Sequence, residues 1–308
     1  MKNKTLFVLL VAAMAFSGCK SKKQESAAEG TKNLKKASAD LKNELGFKPK
    51  MLVAINIKNA KSSPLFGMVK DEIGKDFPGG KECFKPALEK AEAAVLIGDN
   101  IIGKKVKAGE KKTPNAYGAI TGIDGKALIE CAMKSAKGKD QLKTGKLNGK
   151  DVWINTDDGE TTYIWVTKNG LGVVSGELSK KVTPGKGVLG NTEIGGFVGS
   201  KTVTLDVSGI NEDKLEAAKG YMDFSSGISA NIDITFKDAG AGDKALAQFK
   251  MFSEKGEKMI PVPGIGEIIK GISLKGSGKN LTLSVSLSKK QVEMLSDLAK
   301  SMGGGFMK

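Results

Sequence analysis

Three cysteines, Cys19, Cys83 and Cys131, carry the most restricted chemistry in this sequence, because a thiol can be acylated, can pair with a second thiol, or can attack as a thiolate. The chain contains no histidine, and each of its 49 basic residues is lysine. Without imidazole, Ser-His-Asp triads, Cys-His dyads and ordinary zinc sites are excluded. Without arginine there is no planar fork to grip phosphate or guanine, so sequence-specific nucleic-acid recognition is not expected. The formal net charge of +15 comes from lysines spread along the whole chain and reads as solubilising surface charge. Long-range attraction to anionic lipid, glycan or nucleic acid is the alternative.

Two further clusters could carry chemistry. Asp157, Asp158 and Glu160 in "NTDDGETT" supply hard oxygen ligands of the kind calcium takes. The alternating ligand spacing and distal Glu of a calcium loop are missing, and Asp158-Gly159 between "DVWIN" and "TTYIWV" reads as a hairpin turn. No metal site is expected. Trp153, Tyr163 and Trp165 lie on the same hairpin, in a chain with two tryptophans. They are the candidate recognition surface for a sugar or an apolar partner; core or cross-strand pairing is the other reading. The glycine-rich pieces "GKGVLGNTEIGGFVGS" and "PVPGIGEIIKG" hold neither a P-loop nor a dinucleotide fingerprint and read as connectors.

The elements that must position these residues begin with an address. Lys2 and Lys4 precede an apolar run from Leu6 to Phe16, 11 residues that suit a signal-peptide core better than a span of about 20. The run ends in Phe16-Ser17-Gly18-Cys19, which resembles the lipobox of bacterial lipoproteins, with Phe16 where leucine is commonest. The resemblance implies a diacylglycerol on the Cys19 thiol, cleavage just before Cys19, and usually acylation of the new amino group. Two or three acyl chains anchor a protein durably where one does not. It also implies an extracytoplasmic body, with the outer membrane preferred because Lys20, not Asp, follows the cysteine. The anchor is the one attached group expected, with no separate cofactor.

Residues 20–46 are polar and predict a tether of ~30 Å if flexible. Their later part is alternatively a helix, with Leu34, Leu41 and Leu45 on one face and Gly46 as the stop. Lys20, Lys22 and Lys23 would lie beside lipid headgroups, the other reading being a soluble spacer. With Cys19 assigned to lipid, Cys83 and Cys131 are left to form one disulfide in an exported chain. Closing that loop of ~49 residues would stabilise the fold by about 4 kcal/mol. The body faintly resembles uncharacterised bacterial lipoproteins with a similarly placed cysteine pair.

From Met51 onward, strand and helix alternate. "MLVAINI" reads as a half-buried strand, and Ser63-Pro64 opens a helix through Leu65, Met68, Val69 and Ile73. "KTVTLDV" repeats the strand, and Asn211 is expected to cap a helix through Leu215, Ala218 and Met222. "YGAITG" into "GKALIECAMKSA" and "ISANIDITF" into "DKALAQFKMF" give a second strand-helix pair in each half. Hairpins are expected at Asn148-Gly149 and at 276–279. Ser288 and Gln291 form a capping box for the last helix, with Val292, Leu295, Leu298 and Met302 on one face and Gly303 to Gly305 after it.

The fold class expected is α+β: two diverged copies of a β-α-β-α-β-β unit, with mixed or antiparallel sheets and helices packed on them. The divisions are a signal peptide at 1–18, a lipidated cysteine and tether at 19–46, and units at 47–187 and 188–308. The function expected is a membrane-anchored, non-enzymatic cell-envelope lipoprotein that binds or scaffolds an unknown envelope protein, glycan or lipid. An envelope carrier of an apolar or anionic ligand is the alternative. A His-independent hydrolase using carboxylates or a Ser-Lys pair is the third reading.

Overall fold

The computed structural model describes residues 26–63, 66, 80–99, 115–135, 142–157, 160–209, 214–259 and 264–301. Among the described residues twelve strands form one continuous sheet, and every pairing within it is antiparallel. In chain order they are β1 (Met51–Asn56), β2 (Ala93–Asp99), β3 (Asn115–Thr121), β4 (Leu142–Leu147), β5 (Lys150–Asp157) and β6 (Glu160–Thr167). After these come β7 (Gly170–Ser175), β8 (Val203–Ser208), β9 (Leu215–Asp223), β10 (Gly227–Phe236), β11 (Ile272–Ser277) and β12 (Asn280–Ser288). Their spatial order is β11-β12-β10-β9-β8-β1-β2-β3-β7-β6-β5-β4.

The helices are α1 (Lys32–Leu45), α2 (Gly80–Lys90), α3 (Gly125–Lys134), α4 (Ala239–Met259), α5 (Ile265–Lys270) and α6 (Lys289–Ser301). They divide unevenly between the two faces of the sheet. One face carries α2 and α3, with Leu128 and Ile129 of α3 packed on Ile164 and Leu171, and carries α4 to α6 over Ala230, Ile232, Leu283 and Leu287. The opposite face carries α1 and the segment after β7, in the first half of the molecule. In the second half that same face is polar on β10 and β12, with Ser229, Asn231, Asp233, Thr282 and Ser284, while a helical turn at Ala27–Gly30 covers Tyr221 on β9. Strand alternation gives this directly: β12 buries Leu281, Leu283, Val285 and Leu287 and turns the residues between them outward.

The polar segment before β1 takes the helical alternative. Leu34, Ala37, Leu41 and Leu45 are spaced to form one apolar stripe, and all four are buried on the sheet. Gly46 ends α1 in the left-handed conformation, its N–H donating to the Lys42 carbonyl. Ser288 and Gln291 make the expected capping box: the Gln291 N–H donates to Ser288 Oγ, and Gln291 Oε1 accepts from the Ser288 N–H. Asn148 and Gly149 both adopt positive φ between β4 and β5, the geometry of a two-residue hairpin turn.

One expected helix is a strand. Leu215, Ala218 and Met222 lie on β9, hydrogen-bonded between β8 and β10. Positions 218 and 222 share a face under either a helical or a strand period, so they cannot distinguish the two. Leu215 joins them on that face because the register shifts between Thr235 and Phe236, a bulge that makes three residues act as an even step. Gly220 permits the close strand contact, since a Cβ there would lie 2.1 Å from the Asn231 carbonyl oxygen. The second half therefore runs β-β-β-α-α-β-β-α. Asn211 and the helix expected after Ser63 lie outside the described residues, apart from Phe66.

Candidate functional site

Cys19 lies outside the described residues. The described body begins at Ser26, with a single helical turn at Ala27–Gly30 followed by α1. That turn covers Tyr221, which is 1% exposed. Six residues, 20–25, lie between Cys19 and the first described residue, and most of 20–46 belongs to the described body.

Behind α1 the chain between β7 and β8 forms a second packed layer. It contains a helical turn at Gly187–Asn191 and a 3-10 turn at Ile194–Phe197, and Leu189, Ile194 and Phe197 are all buried. The glycine-rich connector is therefore core. Side chains from the sheet and from α1 fasten it. The Tyr117 hydroxyl on β3 donates to the Leu189 carbonyl at 2.8 Å, and Trp165 Nε1 on β6 donates to the Gly190 carbonyl at 2.8 Å. From α1, the Glu44 carboxylate accepts the backbone N–H groups of Val188 and Leu189 at 3.1 and 3.2 Å. Burial pushes the Tyr117 phenol far above its ordinary range, and the Glu44 carboxylate adds to the shift, so the hydroxyl is a fixed donor. Asn56 and Asn59 hold the end of the connector by donating to the carbonyls of Gly199 and Ser200.

The aromatic trio does not share one surface. Trp153 pairs across the ladder with Ile164, which lies between Tyr163 and Trp165, so Trp153 projects from the opposite face to those two. Trp165 is 2% exposed and packs beside Tyr117, with ring centroids 6.1 Å apart; Tyr163 is half-buried on the same cluster. Trp153 is half-buried on the helix-covered face. It borders two shallow grooves, one lined by Ile129, Glu130, Met133 and Lys134, the other by Thr144, Gly145, Lys146 and Asp151.

Cys83 on α2 and Cys131 on α3 form a disulfide with Cα atoms 5.6 Å apart. It staples together the two helices that cover the same face, within a cluster that includes Leu88, Ala91, Leu128 and Ala132. Lys61 has its ammonium pulled below the ordinary lysine range by burial, against the pull of Glu92 and Glu89. Its Nζ donates to the carbonyls of Glu89 and Ala91 at 2.6 Å each, which places it at the carbonyl end of α2. Glu160 pairs with Asp157 across the β5–β6 turn, and Asp158 lies outside the described residues. Among the described residues no group of three or more His, Cys, Asp or Glu could hold a metal ion. Nor, among them, is any helix long and apolar enough to cross a membrane.

Glu44 on α1, Tyr117 on β3 and Leu189 in the connector carry no individual signal in the sequence that singles them out. The available signal was the Leu34-Ala37-Leu41-Leu45 stripe, together with Leu189, Ile194 and Phe197 amid the connector's glycines.

The fold is a helix-backed, fully antiparallel α+β sheet. No protein-family model matches the chain, and no curated protein matches it. Among solved structures it is similar to crystal form III of TP0453, at 9% identity and a TM-score of 0.44, over 82% of this chain and 96% of that one. It is similar also to crystal form I of TP0453, at 10% identity and a TM-score of 0.42, over 86% and 97% of the two chains. A likeness at this level does not place the chain in a family.

Proposed function

We propose that the protein is a lipid-anchored bacterial envelope lipoprotein, acylated at Cys19, whose body acts without catalysis as a binding or scaffold module outside the cytoplasm. The observation that carries this reading is the closeness in sequence of the lipobox-like Phe16-Ser17-Gly18-Cys19 to a body whose described part begins at Ser26, the layout of a domain held close to its anchor. The side chains with the most unusual environments, Tyr117 and Lys61, each have a structural partner that accounts for them. Replacing Cys19 by Ala and labelling cells with a radioactive fatty acid tests the anchor: the variant should accumulate as an unlabelled precursor, and normal processing would refute the assignment. Affinity purification from crosslinked membranes tests the scaffold role, with a stoichiometric protein partner expected.

The body also supports a reading as two diverged copies, in a form different from the β-α-β-α-β-β unit. Each half has three adjacent antiparallel strands, β1-β2-β3 with α2 inserted after β1 or β8-β9-β10, followed by helix and a return meander from the sheet edge. The return comprises β4 to β7 in one half and β11 to β12 in the other, and β1 and β8 pair at the centre.

A second reading, an envelope carrier of an apolar or anionic ligand, is favoured by the grooves beside Trp153, with Lys134 and Lys146 at their rims. Mass spectrometry of the native protein distinguishes it: a carrier copurifies with lipid or glycan, and empty preparations count against it.

A further inference from the structure

We infer that the exposed face of α1 is a docking surface for anionic phospholipid headgroups, so that the body lies with its α1 side against the leaflet that holds its anchor. This rests on the lipoprotein reading for the anchor, and on the structure for the face. Four lysines, Lys32, Lys35, Lys36 and Lys42, are exposed along the 14-residue helix, and among the described residues none of them is ion-paired. The helix has two carboxylates of its own, Asp40 and Glu44, and Glu44 is turned inward onto the backbone of Val188 and Leu189. The outward surface is left with four positive charges against one negative.

Two independent features give this surface its partner. The first is reach. Seven Cα steps separate Cys19 from Ser26, at most about 25 Å of fully extended chain, so an acylated Cys19 keeps the body at the headgroups. A helix the length of α1 is itself about 21 Å long, comparable to that leash. The second is sidedness. The face of the sheet that carries α1 is polar on β10 to β12 in the second half, with Ser229, Asp233, Thr282, Ser284 and Lys275 outward, and the described helical segment lying over this half of it is the short turn Ala27–Gly30 that leads into α1. Helices α2 to α6 lie on the opposite face. Lysine suits such a surface, because a flexible stem carrying a point charge tracks fluid headgroups without needing fixed geometry.

The proposal is tested by lysine footprinting of the lipidated chain reconstituted into vesicles of phosphatidylcholine alone or mixed with phosphatidylglycerol. A membrane-impermeant amine-acylating reagent is applied and each site is read by mass spectrometry. On the anionic vesicles, acylation of Lys32, Lys35, Lys36 and Lys42 should fall at least threefold relative to Lys244 and Lys250 on α4, and about 0.5 M salt should restore it, as screening requires. Equal rates on the two faces, or protection indifferent to phosphatidylglycerol, would overturn the proposal. The same spectra report whether Cys19 carries lipid. If it does not, the anchor reading fails on its own, and the unlipidated chain is put on the same vesicles, where salt-sensitive protection confined to α1 sustains the docking face and its absence removes it.

Discussion

The Tyr117 hydroxyl and the Leu189 carbonyl oxygen meet at 2.8 Å in a fully buried contact between β3 and a connector 72 residues further along the chain. Removing the hydroxyl leaves that carbonyl with the Thr192 N–H, at 3.2 Å, as its remaining donor. Tyr117→Phe should therefore cost about 1 kcal/mol in urea unfolding, the net worth of one hydrogen bond. A change below about 0.5 kcal/mol would show that the contact does not fasten the connector.

The same phenol gives a pH signature. Its pKa in the folded protein is raised above the unfolded value of about 10, first by burial and then by the Glu44 carboxylate. The unfolded chain therefore releases this proton first as pH rises. The stabilisation is fully present below about pH 10 and is lost progressively above it. The stability difference between the native chain and Tyr117→Phe should be constant from pH 7 to 9 and shrink between pH 10 and 11. A difference that stays flat to pH 11 would contradict the assigned environment.

Two glycines of the connector make a matched pair. A Cβ at Gly190 would sit 2.0 Å from the Thr183 carbonyl oxygen, whereas one at Gly195 would have nothing within 4 Å. Gly190→Ala should destabilise by about 1–3 kcal/mol, because backbone must move to admit the methyl group. Gly195→Ala should be neutral within about 0.5 kcal/mol. Thermal melts of the two variants side by side check the contrast.

The Cys83–Cys131 bridge spans 48 positions. On the chain-entropy model its removal should cost about 4 kcal/mol, with Cys83→Ser, Cys131→Ser and the double variant alike. Unfolding with and without reductant provides the measurement. A cost near zero would mean that α2 and α3 are held by their apolar contacts alone.

How much of this was legible in the chain depends on the range of the interaction. Local signals read true: the Asn148-Gly149 turn, the Ser288–Gln291 capping box, the strand at Met51 and the helix at Gly125 each rest on residues within a turn or two of one another. β9 was misread because Ala218 and Met222 fit two periods, and the arbitrating facts are a bulge opposite Thr235 and a glycine pressed against β10. The aromatic trio looked like one cluster because sequence proximity ignores pleating; the ladder sends Trp153 to one face and Trp165 to the other.

By itself the sequence determined the class of chemistry available, since no fold can supply an imidazole or a guanidinium that the chain does not contain, and the resemblance of Phe16-Ser17-Gly18-Cys19 to a lipobox rests on it alone. It left open what residues 20–46 do, because Leu34, Leu41 and Leu45 suit both a solvated spacer and an amphipathic helix. Tertiary structure decided that for the part from Ser26 onward. A four-residue apolar stripe has no stable place in water at this length, and it becomes a helix by burying itself on the sheet. The same packing turns four lysines outward and draws Glu44 inward onto the connector. The charge of α1's surface is thus a property of the fold, although each residue in it was visible from the start.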